Sequence, residues 1–185
     1  MKISVLYQNM KTGEAFDVTS LVSAAKWTTK RTGSPASAEL TVIVDNSVAW
    51  DHGGIVAIKD GNTGLFYGYV FKLSRSEKGE MSVTAYDQTR YLKNKDTYVF
   101  EGKRADQIAA QIAADFQIKT GTLVNTGYVI PSMVEDNQTL FDIILKALDK
   151  TLINTGKMYY LWDDFGSLRI SNVEDSKLDL FVGDS

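Results

Sequence analysis

The sequence predicts an α+β protein in which an antiparallel β-barrel or sandwich is followed by a small unit of two helices and a β-hairpin. Short alternating segments separated by turn residues fill positions 1–96, as expected for antiparallel strands. Near residue 97 the spacing of apolar residues changes to that of amphipathic helices. We therefore predict two domains, 1–96 and 97–185.

Alternation and turn chemistry predict the strands of the first domain. In "KISVLY" the residues Ile3, Val5 and Tyr7 share one face, and "ASAELTVIVD" alternates in the same way further along the chain. The segments "IVAIKD" and "LFYGYVFKLS" flank the turn "DGNTG", so residues 55–74 are predicted to form a hairpin. The segment "MSVTAYD" at 81–87 is the next predicted strand.

Helical spacing predicts two helices in the second domain. The segment "RADQIAAQIAADF" at 104–116 places its apolar residues on one stripe, and 137–156 repeats this pattern. Asp136 or Asn137 is the expected N-cap of the second helix. The segments "KMYYLW" and "SLRI" flank "DDFG" at 163–166, which predicts a second hairpin.

The composition excludes several classes of protein. The chain has 20 Lys and Arg against 23 Asp and Glu, and this balance argues against a general nucleic-acid binder. It has no cysteine, which rules out disulfides and thiol nucleophiles. No stretch approaches the roughly 20 apolar residues of a membrane span, and the N-terminus lacks the apolar run of a signal peptide. We expect a protein without a membrane segment, made in the cytoplasm.

No motif predicts catalysis, a cofactor or a metal. His52 is the single histidine and lies in a Gly-rich turn, so neither a zinc set nor a serine triad can be assembled around it. The tetrapeptide "DDFG" at 163–166 matches a kinase metal-binding motif, but the Gly-rich phosphate loop and the "HRD" loop are missing. The segment "VAIK" occurs at 56–59 without a Gly-rich loop before it, and Asp and Gly are typical of a tight turn. We therefore predict a protein that is not an enzyme.

Two other functions stay open at this stage. Pairs of neighbouring carboxylates could perform acid–base chemistry on a sugar, as in a cell-wall hydrolase. Three tryptophans and nine tyrosines could instead form the stacking platform of a carbohydrate-binding module. The carboxylate pairs are Asp163/Asp164, Glu174/Asp175 and Glu135/Asp136, and the tryptophans are Trp27, Trp50 and Trp162.

The stretch "TAYDQTRYLKNKDTYVF" at 84–100 is the candidate interface. Its four aromatic residues fall where the pattern changes from strands to helices, so we expect them to pack the joint between the domains or to meet a neighbouring subunit. These four residues are Tyr86, Tyr91, Tyr98 and Phe100.

Several long blocks of the sequence resemble a known family. The blocks "YGYVF", "TAYDQTRYLKNKDTYVF", "VEDNQTLFDII" and "NTGKMYYLWDDFG" are similar, in this order, to the tail-hub proteins of PBSX-like prophages. These proteins belong to contractile tails and phage-tail-like bacteriocins of Gram-positive bacteria. The resemblance runs from the first strand to about Leu180.

The resemblance implies a structural part of a virion or tail-like particle rather than an enzyme. Such proteins are expected to form the baseplate hub, in which three copies make a ring. Each copy is expected to contribute two related β-barrels, so that the ring matches the hexameric tail tube above and a threefold spike below, and DNA only passes through its lumen. The second barrel is absent from this chain, which puts its own trimer in doubt.

Overall fold

The protein is mostly sheet, with two α-helices and three short 3₁₀ segments among the residues described. This computed structural model describes residues 2–30, 33–76 and 79–176. Its first seven strands are β1 (Ile3–Gln8), β2 (Ala15–Asp17), β3 (Val22–Thr28), β4 (Ser37–Ile43), β5 (Ile55–Asp60), β6 (Thr63–Arg75) and β7 (Glu80–Tyr86).

These seven strands form one antiparallel sheet in the order β2-β1-β5-β6-β7-β4-β3. The strands and the hairpin predicted at 55–74 are confirmed, because β5 and β6 pair directly around the turn. Among the described residues no ladder joins the two edge strands β2 and β3. The sheet is therefore not closed, and the predicted barrel is not confirmed. One edge strand is short, since β2 offers only three residues for pairing.

Alternation places one face of the sheet in a buried core. Val5 and Tyr7 from β1 meet Leu40 and Val42 from β4, and all four side chains are buried. Burying a side chain of this size contributes about 1.5–3 kcal/mol, so the packing of this face stabilises the first half. The periodicity of two residues predicted this core correctly.

The second half contains a two-stranded ribbon, two helices and a three-stranded sheet. Its elements are β8 (Lys95–Arg104), α1 (Ala105–Asp115), β9 (Thr120–Leu123), β10 (Val129–Thr139), α2 (Leu140–Thr155), β11 (Tyr159–Asp163) and β12 (Leu168–Asn172). Strand β8 pairs with β10, β11 pairs with β12 as the predicted hairpin, and β9 joins β12 in parallel. Residues 177–185, the end of the predicted second domain, lie outside the described residues.

The start of helix α2 differs from the prediction. The helix begins at Leu140 rather than at 137, because β10 continues to Thr139. Asn137 has a φ of +48° and lies within the irregular end of the β8–β10 ladder, so it does not cap the helix. Thr139 is the N-cap instead, since its Oγ1 accepts a hydrogen bond from the Asp142 N–H at 3.1 Å. Neither Asp136 nor Asn137 is the cap.

The apolar residues form two separate clusters, one for each half. The second cluster gathers the inner faces of both helices, including Ile108, Ile112 and Ile144, against β8 and the three-stranded sheet. Leu92 belongs to this second cluster although it precedes residue 97. The exact boundary between 1–96 and 97–185 remains a prediction.

Candidate interface at the junction of the two halves

The stretch between β7 and β8 connects the two clusters through a short 3₁₀ helix, Gln88–Lys93. Asp87 caps this helix, because its Oδ1 accepts hydrogen bonds from the N–H and the hydroxyl of Thr89 at 3.0 and 2.5 Å. Its Oδ2 accepts a third hydrogen bond from the Ala36 N–H at 3.0 Å. One carboxylate therefore fixes the connector to the segment that leads into β4.

Asp87 is buried, and this changes its protonation. Burial, which disfavours the charged carboxylate, raises the pKa of Asp87 to about 6, and the nearby charge of Asp163 adds to the rise. The three hydrogen bonds oppose this shift. Burial is also the main cause that raises the pKa of Asp163 above its ordinary value. The junction thus contains two neighbouring carboxyl groups whose pKa values both lie above the ordinary value.

Gln88 ties the connector to the second half. Its Nε2 donates to the Lys119 carbonyl oxygen at 3.0 Å and to Asp163 Oδ2 at 2.8 Å. The other oxygen of Asp163 accepts from the Gly166 N–H at 2.8 Å, inside the turn between β11 and β12. Because Asp87 and Gln88 are adjacent, two consecutive side chains bind opposite sides of the junction.

The turn between β11 and β12 touches the first sheet through Phe165. Its ring lies 5.4 Å from the ring of Tyr67, in an edge-to-face arrangement. Any side chain at Gly64 would overlap the Phe165 ring, so close contact here requires glycine. Gly166, with a φ of +85°, packs against Tyr67 in the same way. The "DDFG" segment is a turn, as predicted, and it also joins the two halves.

The four aromatic residues predicted as an interface fall into two groups. Tyr86 in β7 and Tyr91 in the 3₁₀ helix pack against rings of β6, whereas Tyr98 and Phe100 stack on each other in β8 with ring centroids 5.1 Å apart. Phe100 is buried in the second cluster. The Tyr98 hydroxyl donates to Asp115 Oδ2 at 2.8 Å, and burial together with this bond raises the Tyr98 pKa. An interface role for any of the four remains a prediction.

Tyr86 and Tyr91 belong to a larger surface that we call the aromatic strip. It consists of Tyr67, Tyr69, Phe71, Tyr86 and Tyr91. The three residues from β6 alternate with buried neighbours, so they share the face of the sheet opposite the core. Neighbouring rings of the strip lie 5.5–6.3 Å apart. Phe71 and Tyr91 are 38% and 41% exposed, which leaves a surface able to contact another protein.

Two of the three carboxylate pairs weighed as acid–base candidates are engaged in structural contacts. Glu135 forms an ion pair with Lys146 at 2.5 Å, and Asp164 forms one with Arg169 at 2.8 Å. Asp136 Oδ1 accepts the hydroxyl proton of Thr97 at 2.8 Å. These contacts explain the acidic residues without assigning them a catalytic role.

The remaining candidates for catalysis are exposed side chains. His52 and the pair Glu174/Asp175 lie on the surface. Within residues 2–30, 33–76 and 79–176, no group of three or more His, Asp or Glu residues could hold a metal ion. No helix in the described part of the chain is long and apolar enough to cross a membrane.

Sequence patterns did not identify the residues that link the two halves at the junction. Gln88 and Asp163 are 75 positions apart, and no periodicity links them. Phe165 was interpreted only as part of a turn. Only a local pattern at the junction was visible in the sequence. An Asp two positions before a Thr, directly after a strand, is typical of a capped turn.

Solved structures of tail proteins share this fold. The 43 kDa tail protein of prophage MuSo2 from Shewanella oneidensis superposes with a TM-score of 0.69 at 18% identity, covering 91% of this chain and 52% of that one. A tail protein from Neisseria meningitidis gives 0.69 at 13% identity, with 92% and 50% covered. A type VI secretion component of E. coli, described as structurally similar to the T4 tail proteins gp27 and gp5, superposes with a TM-score of 0.53 at 10% identity. The match covers 91% of this chain and 45% of that one.

Two proteins of Bacillus subtilis are similar in sequence. The phage-like element PBSX protein XkdQ is 42% identical over 141 residues, which are 73% of this chain and 43% of that protein. The protein YqbQ is 47% identical over 118 residues, 63% of this chain and 36% of that protein. The matched regions thus cover less than half the length of either relative. The sequence model of the YqbQ-like family matches residues 25–185, and the chain therefore belongs to the YqbQ-like family.

Proposed function

We propose that this chain is a structural component of a phage tail or of a phage-derived tail particle. The observation that carries this proposal is the 42% identity to a protein of the phage-like element PBSX. The likeness of the fold to solved tail proteins over about nine tenths of the chain agrees with it. Glu135, Asp136 and Asp164 are engaged in structural contacts, which suits a part that assembles rather than catalyses.

Within the tail, we place the chain in the baseplate hub. Three copies would form a ring whose sheets close around a lumen, with the tail tube above and a threefold spike below. A ring is the outcome of a head-to-tail interface whose rotation closes, and the open sheet with its two free edges suits such an interface. DNA would pass through the lumen without being held.

The aromatic strip is the surface we assign to contact with neighbouring tail proteins. Tyr and Phe are enriched in protein interfaces, and five such rings lie together on one face of the sheet. The guanidinium of Arg90 lies 5.6 Å from the Phe71 ring, so a cation already covers part of the strip. Its partner would be another subunit of the particle.

Light scattering on size-exclusion-purified protein tests the hub proposal. It should be run on this chain and on a form extended to the length of the relatives, since the matched regions cover less than half of each relative. We expect a trimer for the longer form. A longer form that stays monomeric at every concentration, both alone and with tube and spike proteins added, would contradict the ring.

A further inference from the structure

A cleft lies between the two halves of the protein, at the junction described above. Its volume is about 500 Å³, within the range of pockets that bind small molecules. We call it the junction cleft and define it by six of its lining residues: Trp27, Tyr67, Asp87, Tyr160, Trp162 and Asp163. None of these residues has a role in the ring proposed above except Tyr67, which also belongs to the aromatic strip.

Aromatic side chains from both halves line the junction cleft. Trp27 comes from the edge strand β3 and is 46% exposed, whereas Tyr160 and Trp162 come from β11. The ring centroids of Tyr160 and Trp162 are 6.3 Å apart, with an angle of 29° between the ring planes. The Trp162 Nε1 donates to Ser171 Oγ at 3.0 Å, which holds the indole in place. Two of the three tryptophans of the chain therefore line one cleft, although 135 positions separate them.

The carboxylates of the cleft can accept further hydrogen bonds. An ionised carboxylate offers about four acceptor positions. Asp163 uses two of them, for Gln88 and the Gly166 N–H, and Asp87 uses three. Burial raises the pKa of both groups, because water solvates their negative charge poorly. A ligand hydroxyl could donate to either group.

The charged residues that line the cleft indicate which class of ligand it can bind. Asp87 and Asp163 have no ion-pair partner among the described residues, so an anionic ligand such as a phosphate polymer would be repelled. Asp164 is paired with Arg169, and Lys30 also lines the cleft, so its net charge is small. Flat aromatic rings combined with hydrogen-bond acceptors suit a ligand that has apolar faces and hydroxyl groups.

We propose that the junction cleft binds a neutral saccharide, with Trp27, Tyr160 and Trp162 packing against the faces of pyranose rings and Asp87 and Asp163 accepting hydroxyl hydrogens. This binding goes beyond the role of the chain in the tail and does not depend on it. A bound saccharide would contact β3 and β11 together, so it would also stiffen the joint between the two halves.

Isothermal titration calorimetry on the full chain tests this proposal. The probes are tetrasaccharides of glucose, galactose, mannose and N-acetylglucosamine, with tetralysine as the cationic competitor. We expect saturable binding of at least one tetrasaccharide and a loss of affinity of tenfold or more in Trp27→Ala and in Trp162→Ala. Trp27→Ala is the safer variant for folding, because the side chain is half exposed on an edge strand.

The matched control is Trp50→Phe. Trp50 stacks on Tyr7 at 4.1 Å and is not among the residues that line the cleft, and its indole N–H has no hydrogen-bond partner within the described part of the chain. This variant should bind the saccharide as the unaltered chain does. Binding of no tetrasaccharide, or saccharide binding that survives both cleft variants, would overturn the proposal. Binding of tetralysine alone would overturn it in favour of a site for basic side chains.

Discussion

Asp87 and Gln88 are the two residues that do most to join the halves of the protein. Asp87 binds the backbone at Ala36, on the side of the first sheet, and Gln88 binds Lys119 and Asp163 on the other side. Both side chains are buried, so a lost hydrogen bond is not replaced by water. The stability of the junction should therefore be sensitive to single substitutions and to pH.

The first prediction concerns the pH dependence set by Asp87. Its folded pKa of about 6 lies above the ordinary value of 3.8, so its contribution to stability is greatest at low pH and falls as pH rises through about 6. A shift of two pKa units corresponds to about 3 kcal/mol. Relative to Asp87→Asn, the unaltered chain should gain on the order of 2–3 kcal/mol in free energy of unfolding between pH 7 and pH 4.

Urea denaturation of both chains at several pH values measures this difference. Comparison with the variant cancels the other titrating groups that do not contact Asp87. Asp163 does interact with it, and its raised pKa acts in the same direction. A difference that stays constant from pH 4 to pH 7 would show that Asp87 titrates normally.

The second prediction concerns Gln88. Gln88→Ala removes the donor to Asp163 and Lys119 and should lower the free energy of unfolding by about 1–3 kcal/mol. Gln88→Glu keeps the size of the side chain but brings a carboxylate against Asp163, so it should destabilise more at pH 7 than at pH 5. Equal stability of all three chains in chemical denaturation would mean that the bridge contributes nothing.

At the scale of the element, helix α2 shows what local sequence can and cannot predict. Its apolar spacing gave its existence and its buried face correctly, because that signal repeats over four turns. Its start was wrong, because polar residues that look like a cap continue strand β10 instead. That strand pairs with β8, about 35 residues away, and a partner at this distance leaves no mark on the local pattern.

The third prediction tests the observed cap of α2. Thr139→Ala removes the acceptor of the Asp142 N–H and should cost about 1 kcal/mol of stability. Thr139→Ser keeps the hydroxyl and is the matched control, with a smaller change. Thermal unfolding followed by circular dichroism measures both. If Asp136→Ala and Asn137→Ala weaken the protein more than Thr139→Ala does, the observed N-cap is wrong.

The fourth prediction separates the two aromatic groups of the junction. Tyr91 is 41% exposed on the aromatic strip, so Tyr91→Ala should cost only about 1 kcal/mol of stability but should weaken assembly in the longer form. Tyr98 packs on Phe100 and bonds Asp115, so Tyr98→Ala should act mainly on stability. Chemical denaturation and light scattering give the two readouts. The interface hypothesis fails if both variants leave stability and assembly unchanged.

At the scale of the whole molecule, the sequence predicted a strand-rich first half and an α+β second half, but not the contacts between them. Periods of two and of about 3.6 residues are local, so both α-helices and seven of the twelve strands of the described residues were predicted. The other strands, β2, β3, β8, β9 and β10, were not predicted. The junction depends on contacts between distant segments, such as Phe165 on Tyr67 and Gln88 on Asp163.

Electron microscopy of purified particles from the element that encodes this chain tests the central claim most directly. The chain would carry a small tag in an exposed turn such as Asp60–Thr63, and the tag would be located in three-dimensional reconstructions. We predict three copies in a ring between the end of the tail tube and the spike. Particles of normal composition in which this chain is absent, or in which it occupies the sheath, the tube shaft or the head, would contradict the account.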